Sequence, residues 1–582
     1  MKKYLIPGFL AVTVLFTGML SSCKKYADPP PFFEDDLDTT NTITSRRVLL
    51  IGIDGAVSSE VKTIAPPTIT GMLAHAKFQW DGVTDEISTD AASWKTLVSG
   101  VSYGRHKIKD STFIYTPPEG EDSHGGAPSY YPSMFSYILS SANKNNLRTS
   151  FISSWPTLVE RVVPEVLDPV IATGDQGVKD SAIARLKNKN PEYMVLHFNS
   201  PSIAGKSGGF TSSNTGYKDA ITKVDSYIGE IMTALKARPE YNKNEEWLVI
   251  ITNTHGGVGN NYGGGTSKEN TSLVMFYNEK FKQGEFRRAD HSIVEIKGRD
   301  GNTVKAQALD DNGLYSVGNG EQTIQFKMKG TGFGNYPHWV STMSRWPSTS
   351  GWSIFSGGGN WSISVRSTTS GERRIQGAPT GPYADGNWHT LTVVFYDSAG
   401  SRWVKRFTDD MRIKESANVN LGASWGDIAN SGPLTFGWGA DPGYNPVTYG
   451  LSDVRIFNTA LTDAEIVSSL CLKDILADHP KKNNIIGYWP CNDAFGGKFS
   501  NYAAGKSNYP LTLAGPFSWI TEPLLPCSFT AAPADPSKTQ LLITSSSMAR
   551  TIFYWIRVPV ADSWGFEGVD WLKNYDEEFV EF

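Results

Sequence analysis

Cysteine is nearly missing from this chain, with four in 582 residues. Three of them, Cys471, Cys491 and Cys527, fall late and none has C-x2-C spacing. That excludes a cysteine zinc site and leaves room for one disulfide, whose pairing stays open. A basic excess is missing too. Lys and Arg total 54 against 59 Asp and Glu, a formal net charge of −5, and no cationic stripe accompanies the aromatics, so nucleic acid is excluded as a partner. No dense Asp/Asn loop that could cage calcium is present. Beyond Leu20 there is no long apolar run, so the body carries no expected membrane span.

The start of the chain is different. Met1-Lys2-Lys3 precedes an apolar run through Leu5, Phe9, Val12, Val14, Leu15 and Phe16, broken by Pro7 and Gly18 and ending in Leu20-Ser21-Ser22-Cys23. The run is short and stops at small residues before a cysteine, which fits an export signal rather than a span. This ending resembles a bacterial lipoprotein signal, of the Bacteroidetes surface type. The resemblance implies removal of 1–22, acylation of Cys23, and anchoring in the outer membrane at the cell surface. Residues 23–45, with Pro29-Pro30-Pro31 and the acidic Glu34-Asp35-Asp36-Leu37-Asp38, read as a flexible tether holding a globular body away from the lipid.

What is plentiful is apolar and aromatic surface. With 39% hydrophobic and 12% aromatic residues, the chain can build two or three cores, and its many Trp, Tyr and Gly point towards flat neutral ligands, carbohydrate first. From Arg46 the run Val48-Leu49-Leu50-Ile51-Gly52-Ile53-Asp54-Gly55 reads as a buried strand ending in a carboxylate and a turn. Such strand ends carry sites in α/β proteins, although an Asp there is as often a helix cap.

Further along come Ser88-Thr89-Asp90-Ala91-Ala92-Ser93-Trp94 up to Ser99-Gly100, then Gly104-Arg105-His106. Val195-Leu196-His197-Phe198-Asn199-Ser200-Pro201 and the strand Trp247 to Thr252 before His255-Gly256-Gly257 follow in order. Together these segments resemble the alkaline phosphatase superfamily, in particular its phosphodiesterase and nucleotide-pyrophosphatase branch. Met548-Ala549-Arg550-Thr551-Ile552-Phe553-Tyr554-Trp555-Ile556 resembles that superfamily's closing helix. The implied α/β domain is therefore discontinuous, spanning 46–280 and 536–582, with 281–535 inserted.

The resemblance implies two divalent metals held by about six Asp and His ligands, and a Thr or Ser nucleophile. Carried over position by position, the first Asp is Asp54 and the nucleophile column falls on Asp90, with Thr89 one residue away. The next ligand positions hold Ser202 and Lys206, the Asp of the later His motif is Thr254, its His is His255, and the last His column is Tyr262. A lysine cation opposes a metal. No metal, no cofactor and no catalytic residue are expected from such a set, and Asp54 and His255 are expected to hydrogen-bond each other or nearby backbone.

Between Glu285 and Ser528 helical periodicity nearly disappears. Thr323-Ile324-Gln325-Phe326-Lys327-Met328, Trp361-Ser362-Ile363-Ser364-Val365 and Trp388-His389-Thr390-Leu391-Thr392-Val393 alternate apolar and polar, as strands with one buried face do. Asp385-Gly386-Asn387-Trp388-His389 and Leu451-Ser452-Asp453-Val454-Arg455-Ile456-Phe457 through Glu465-Ile466 resemble laminin-G-like, concanavalin-type jelly rolls. Such folds often bind glycans through loop aromatics. Candidates in loop-like contexts are Trp346, Trp352, Trp425, Trp438, Asp441, Tyr444 and Tyr449, while Trp388 reads as core.

The sequence thus points to a surface glycan-binding lipoprotein with a silent phosphatase-like scaffold. Its expected partners are a polysaccharide or oligosaccharide, the membrane through the lipid, an outer-membrane transporter complex and a glycosidase. The alternative is a metal-dependent phosphodiesterase or sulfatase-like hydrolase built on Asp54, Asp90 and His255 around one metal.

Overall fold

The computed structural model of the chain describes residues 45–578 apart from 116–130, 142–146, 299–302, 377–382, 413–417, 438–446, 523–538 and positions 290, 310, 332, 334, 335, 358, 359, 410 and 473. The signal, Cys23 and nearly all of the tether lie outside the described residues, as do Trp438, Asp441, Tyr444 and Cys527. Among the described residues no helix is long and apolar enough to cross a membrane.

A strand sends successive side chains to opposite faces, so an unbroken apolar run needs cover on both. That is the position of β1 (Ser45–Asp54). Its Val48 and Leu50 pack in one core with the helix Asp90–Ser99 and the late helix Met548–Trp555. Leu49, Ile51 and Ile53 pack in another with the helices Ser58–Ile64, Gly174–Asn188 and Thr215–Lys236. The remaining strands are β2 (Ala76–Val83), β3 (Thr149–Ser153), β4 (Asp168–Ile171), β5 (Tyr193–Phe198), β6 (Glu245–His255), β7 (Thr271–Tyr277) and β8 (Gly284–Phe286). They form one sheet in the order β4-β3-β5-β1-β6-β7-β2-β8. β5 and β6 flank β1 in parallel, so the carboxyl ends of all three open on the same edge.

β8 pairs with β2 and so extends this sheet past the expected boundary at 280. The chain re-enters the same body at its end. Val83 N donates to Ile543 O at 3.0 Å, and Trp555 Nε1 donates to Arg47 O at 2.9 Å behind β1.

Between these segments the chain forms two antiparallel sheets of eight and nine strands that share a single core. Trp339, Trp352, Trp361 and Trp489 are fully buried in it. The hairpin Asp385–Ser398 to Ser401–Thr408 turns on Ala399 and Gly400, at φ 49° and 72°, the twist a two-residue hairpin loop requires. Cys491 is a buried free thiol and Cys471 is disulfide-bonded.

Three of the seven loop candidates are corrected here. Trp346 and Tyr449 are buried, and Trp352 lies on the strand Gly351–Gly357 with no exposed surface. Their apolar rings gain more from the core than from solvent. Trp425 is half-buried against the same core. We expect Trp352→Ala to cost about 3–5 kcal/mol of stability, as large-to-small aromatic truncations in cores do. Denaturant unfolding of the variant measures it.

A self-neutralised pocket at the strand ends

The pocket is assembled where β1, β5 and β6 finish. Asp54 ends β1, His197 lies in β5 opposite Gly52, and Thr254 and His255 end β6. Asp90 opens the helix Asp90–Ser99, where the dipole favours an anion. Lys206 comes from the helix Ser200–Gly208, and Tyr262 from the loop after β6.

Glycine makes the approach close enough. A Cβ on Gly52 would stand 2.5 Å from Cη2 of Trp94, so only glycine lets that indole lie over the end of β1. Gly55, at φ +73°, leaves the turn in the left-handed region with Ser202 backbone against it.

The Asp54 carboxylate is buried and fully engaged. Oδ1 accepts from Trp94 Nε1 at 2.9 Å and Thr254 Oγ1 at 2.5 Å, and Oδ2 faces His197 Nε2 at 2.8 Å. The other ring nitrogen of His197 is 2.6 Å from Ser153 Oγ. Burial disfavours charge on His197, but the facing Asp54 carboxylate outweighs it and raises the imidazole above its ordinary value.

Asp90 carries a second set of partners. Tyr262 OH donates to Oδ2 at 2.7 Å, and Lys206 Nζ stands 3.7 Å from the same oxygen and 4.4 Å from the Tyr262 ring centre. His255 Nε2 lies 2.7 Å from Oδ1 but out of line for a hydrogen bond, and its Nδ1 is 2.7 Å from Gly256 O. The Tyr262 ring stacks on His255 at 4.2 Å. Burial works against charge on Asp90. The His255 ring, Tyr262 hydroxyl and Lys206 ammonium overcome it and hold the carboxyl far below its usual range.

The structure brings Asp54, Asp90, Lys206, Thr254, His255 and Tyr262 into this network. Thr89 is turned away from it. Its hydroxyl donates to Lys109 O at 2.6 Å and accepts from Ala92 N at 3.3 Å, so it caps the helix and presents no nucleophile. Ser202 is buried beside Gly55 with no hydrogen-bond partner for its hydroxyl among the described residues. The expected pairing of Asp54 with His255 is corrected: Asp54 faces His197, and His255 faces Asp90 and the Gly256 carbonyl. His197 and Trp94 are the pocket residues that sequence reasoning missed. The signal for His197 was its place near the end of a buried strand next to β1.

Two metals do not fit this donor set. Lys206 offers only N–H donors, and the Thr254 hydroxyl is already donated to Asp54. Asp54, Asp90 and His255 do place one ligand atom each within 4.8 Å of one another, a number of ligands that suits a single ion at most. Tyr262→Phe removes a hydrogen bond to an ionised carboxylate. We expect it to cost about 1.5–3 kcal/mol in chemical unfolding.

The profile of the family described as Type I phosphodiesterase / nucleotide pyrophosphatase matches residues 48–331. No curated protein matches the chain. Among solved structures, a 2-O GAG sulfatase is similar at 11% identity and a TM-score of 0.33, over 41% of this chain and 65% of that one. Murine ectonucleotide pyrophosphatase / phosphodiesterase 5 is similar at 14% identity and a TM-score of 0.29, over 36% of this chain and 57% of that one. The chain thus spans less than two thirds of the length of either. Over residues 48–331 the chain is thus similar to the Type I phosphodiesterase / nucleotide pyrophosphatase family.

Proposed function

We propose that this phosphodiesterase-like domain is catalytically silent, and that it is the scaffold of a lipid-anchored glycan-binding protein on the outer-membrane surface. One observation carries the reading. The two carboxylates of the pocket are satisfied by Trp94, Thr254, His197, Tyr262 and Lys206, so the charge that two metals would neutralise is already balanced by the chain.

The anchor rests on the signal ending at Cys23 and the acidic tether behind it. The ligand-binding role falls to the antiparallel sheets, whose motifs resemble a laminin-G-like, concanavalin-type jelly roll. The near-neutral charge and the aromatic content suit a polysaccharide or oligosaccharide, with an outer-membrane transporter complex and a glycosidase as working partners.

The test is turnover. Purified protein loaded with zinc or manganese should hydrolyse neither bis(4-nitrophenyl) phosphate nor an aryl sulfate above background. Metal-dependent turnover that disappears in Asp54→Asn would end the silent reading.

One observation favours a second reading, a hydrolase built on a single ion. Among the described residues Asp90 Oδ1 and His255 Nε2 have no aligned hydrogen bond although 2.7 Å apart, and His255 Nδ1 sits on a carbonyl as metal-bound imidazoles commonly do. In that case Asp54, Asp90 and His255 hold the ion. The same assay separates the two readings.

A further inference from the structure

Lys206 reaches the pocket from its solvent side. It lies in the last turn of the helix Ser200–Gly208, where the carbonyl ends favour a cation. It is four residues after the buried Ser202 and so on the same helix face. The Lys206 side chain is 43% exposed and that of Asp90 28%, whereas His255 has no exposed surface. The ammonium therefore stands at the mouth of the pocket and is not part of its packed floor.

What it does there is electrostatic. At 3.7 Å from Asp90 Oδ2 the ammonium is beyond hydrogen-bond reach, and that oxygen takes its hydrogen bond from the Tyr262 hydroxyl instead. The Tyr262 ring, 4.4 Å away, steadies the cation. Deeper in, directional partners are lacking. Asp90 Oδ1 and His255 Nε2 are buried without an aligned hydrogen bond among the described residues, and so is the Ser202 hydroxyl. His255 Nδ1 faces the Gly256 carbonyl, which in the neutral ring leaves the Nε2 lone pair for a ligand. One ligand atom from each of Asp54, Asp90 and His255 lies within 4.8 Å of the others. This is the arrangement of a cation site whose cation belongs to the chain.

We propose that Lys206 is a built-in counter-ion over a latent site for one divalent cation, formed by Asp54, Asp90 and His255, and that this single side chain keeps the wild-type pocket free of metal. The inference rests on the silent reading and gives its cause. Two effects act together. The tether makes binding of the ammonium intramolecular, so it competes with a dissolved ion at high effective concentration. Its charge also repels a divalent ion a few ångströms away. With the ammonium removed, Asp90 regains an unbalanced charge beside the Nε2 of His255, and both are the hard or borderline donors that zinc accepts.

Calorimetric titration with zinc chloride tests this on the tag-free full chain lacking its signal, with no assay of turnover. Lys206→Met keeps the apolar stem and removes the charge. It should take up one zinc ion that wild type does not, with affinity raised at least about ten-fold. Lys206→Gln, a second neutral side chain at this exposed position, should do the same. Lys206→Arg keeps the cation and should stay like wild type, and adding Asp90→Asn to Lys206→Met should abolish the gain. Surface sites common to all the chains cancel in the comparison. No gain in Lys206→Met or Lys206→Gln overturns the latent site and leaves the silent reading standing. A gain that survives Asp90→Asn, or one shared by Lys206→Arg, also overturns it. Zinc held by wild type and lost in Asp90→Asn overturns it and favours the single-ion hydrolase. Melting curves recorded without zinc keep a missing site distinct from a lost fold.

Discussion

Asp54→Ala is expected to destabilise the α/β domain by about 3–5 kcal/mol, the cost of breaking a buried charged pair by removing one partner. Three donors lose their acceptor at once: Trp94 Nε1, Thr254 Oγ1 and His197 Nε2, all buried. His197 loses the carboxylate that raises its imidazole against the opposing effect of burial. Asp54→Asn keeps an oxygen for Trp94 and Thr254 and should cost less. Denaturant unfolding followed by tryptophan fluorescence, with Trp94 as a local reporter, measures both. Equal stabilities for wild type and Asp54→Ala would mean that the network contributes nothing to holding the strand ends together.

The second large effect is a loss of stability as pH rises, centred on Asp85. This carboxyl is buried beside a small cavity where the two bodies meet, lined by Thr84, Ser102 and Glu567 from one and by Phe495, Gly496 and Trp519 from the other. It accepts from Glu86 N, Thr96 Oγ1 and Tyr103 N at 2.7, 2.5 and 2.6 Å, with no cation among those donors. Burial first, and the Glu86 carboxylate second, push it up to about 8. A free aspartate titrates near pH 4. The folded state therefore holds a proton that the unfolded state gives up. The stability this confers is complete below about pH 4 and is lost as pH climbs through about 8, at about 1.4 kcal/mol for each unit separating the two values.

Thermal unfolding at pH 5 and pH 8 should show the higher midpoint at pH 5. His197, His255 and His389 are also raised and act in the same direction, while His106, His338 and His479 are held low by burial and act in the opposite one. The informative quantity is therefore the difference from Asp85→Asn, which should be flatter with pH and more stable than wild type at pH 8. Carboxylates held low, such as Asp453 at about 2 between Arg455 and Lys327, act only below about pH 4 and leave this window clear. Parallel pH profiles for wild type and Asp85→Asn would place the titration elsewhere.

The α/β body was legible because its signals are local. An apolar run covered on both faces, a carboxylate at its end and a helix start thirty-odd residues on fixed Asp54 and Asp90, and the later strand fixed His255. His197 was hidden because β5 is buried throughout, so its imidazole read as one more strand residue. What makes it a pocket group is its register opposite Gly52, which brings it to Asp54, 143 residues away in the chain. Trp94 was hidden for a related reason. The space it fills is the side chain that Gly52 lacks.

The sandwich tryptophans show the opposite failure. Gly, Ser and Pro around Trp346 and Trp352 read as a loop, but Gly351–Gly357 pairs with Asn360–Arg366 and turns Trp352 inward. Alternation reveals that one face of a strand is buried without saying which strands oppose it, and the outcome for a single indole depends on that partner.

Anomalous diffraction at the zinc edge, from crystals of the full chain grown with zinc, tests the account most directly. The expected result is no pair of metal peaks between Asp54 and His255, with the Lys206 ammonium still beside Asp90. Two peaks about 3.5–4 Å apart, the spacing of a bimetallic clamp on a phosphoryl group, would contradict it.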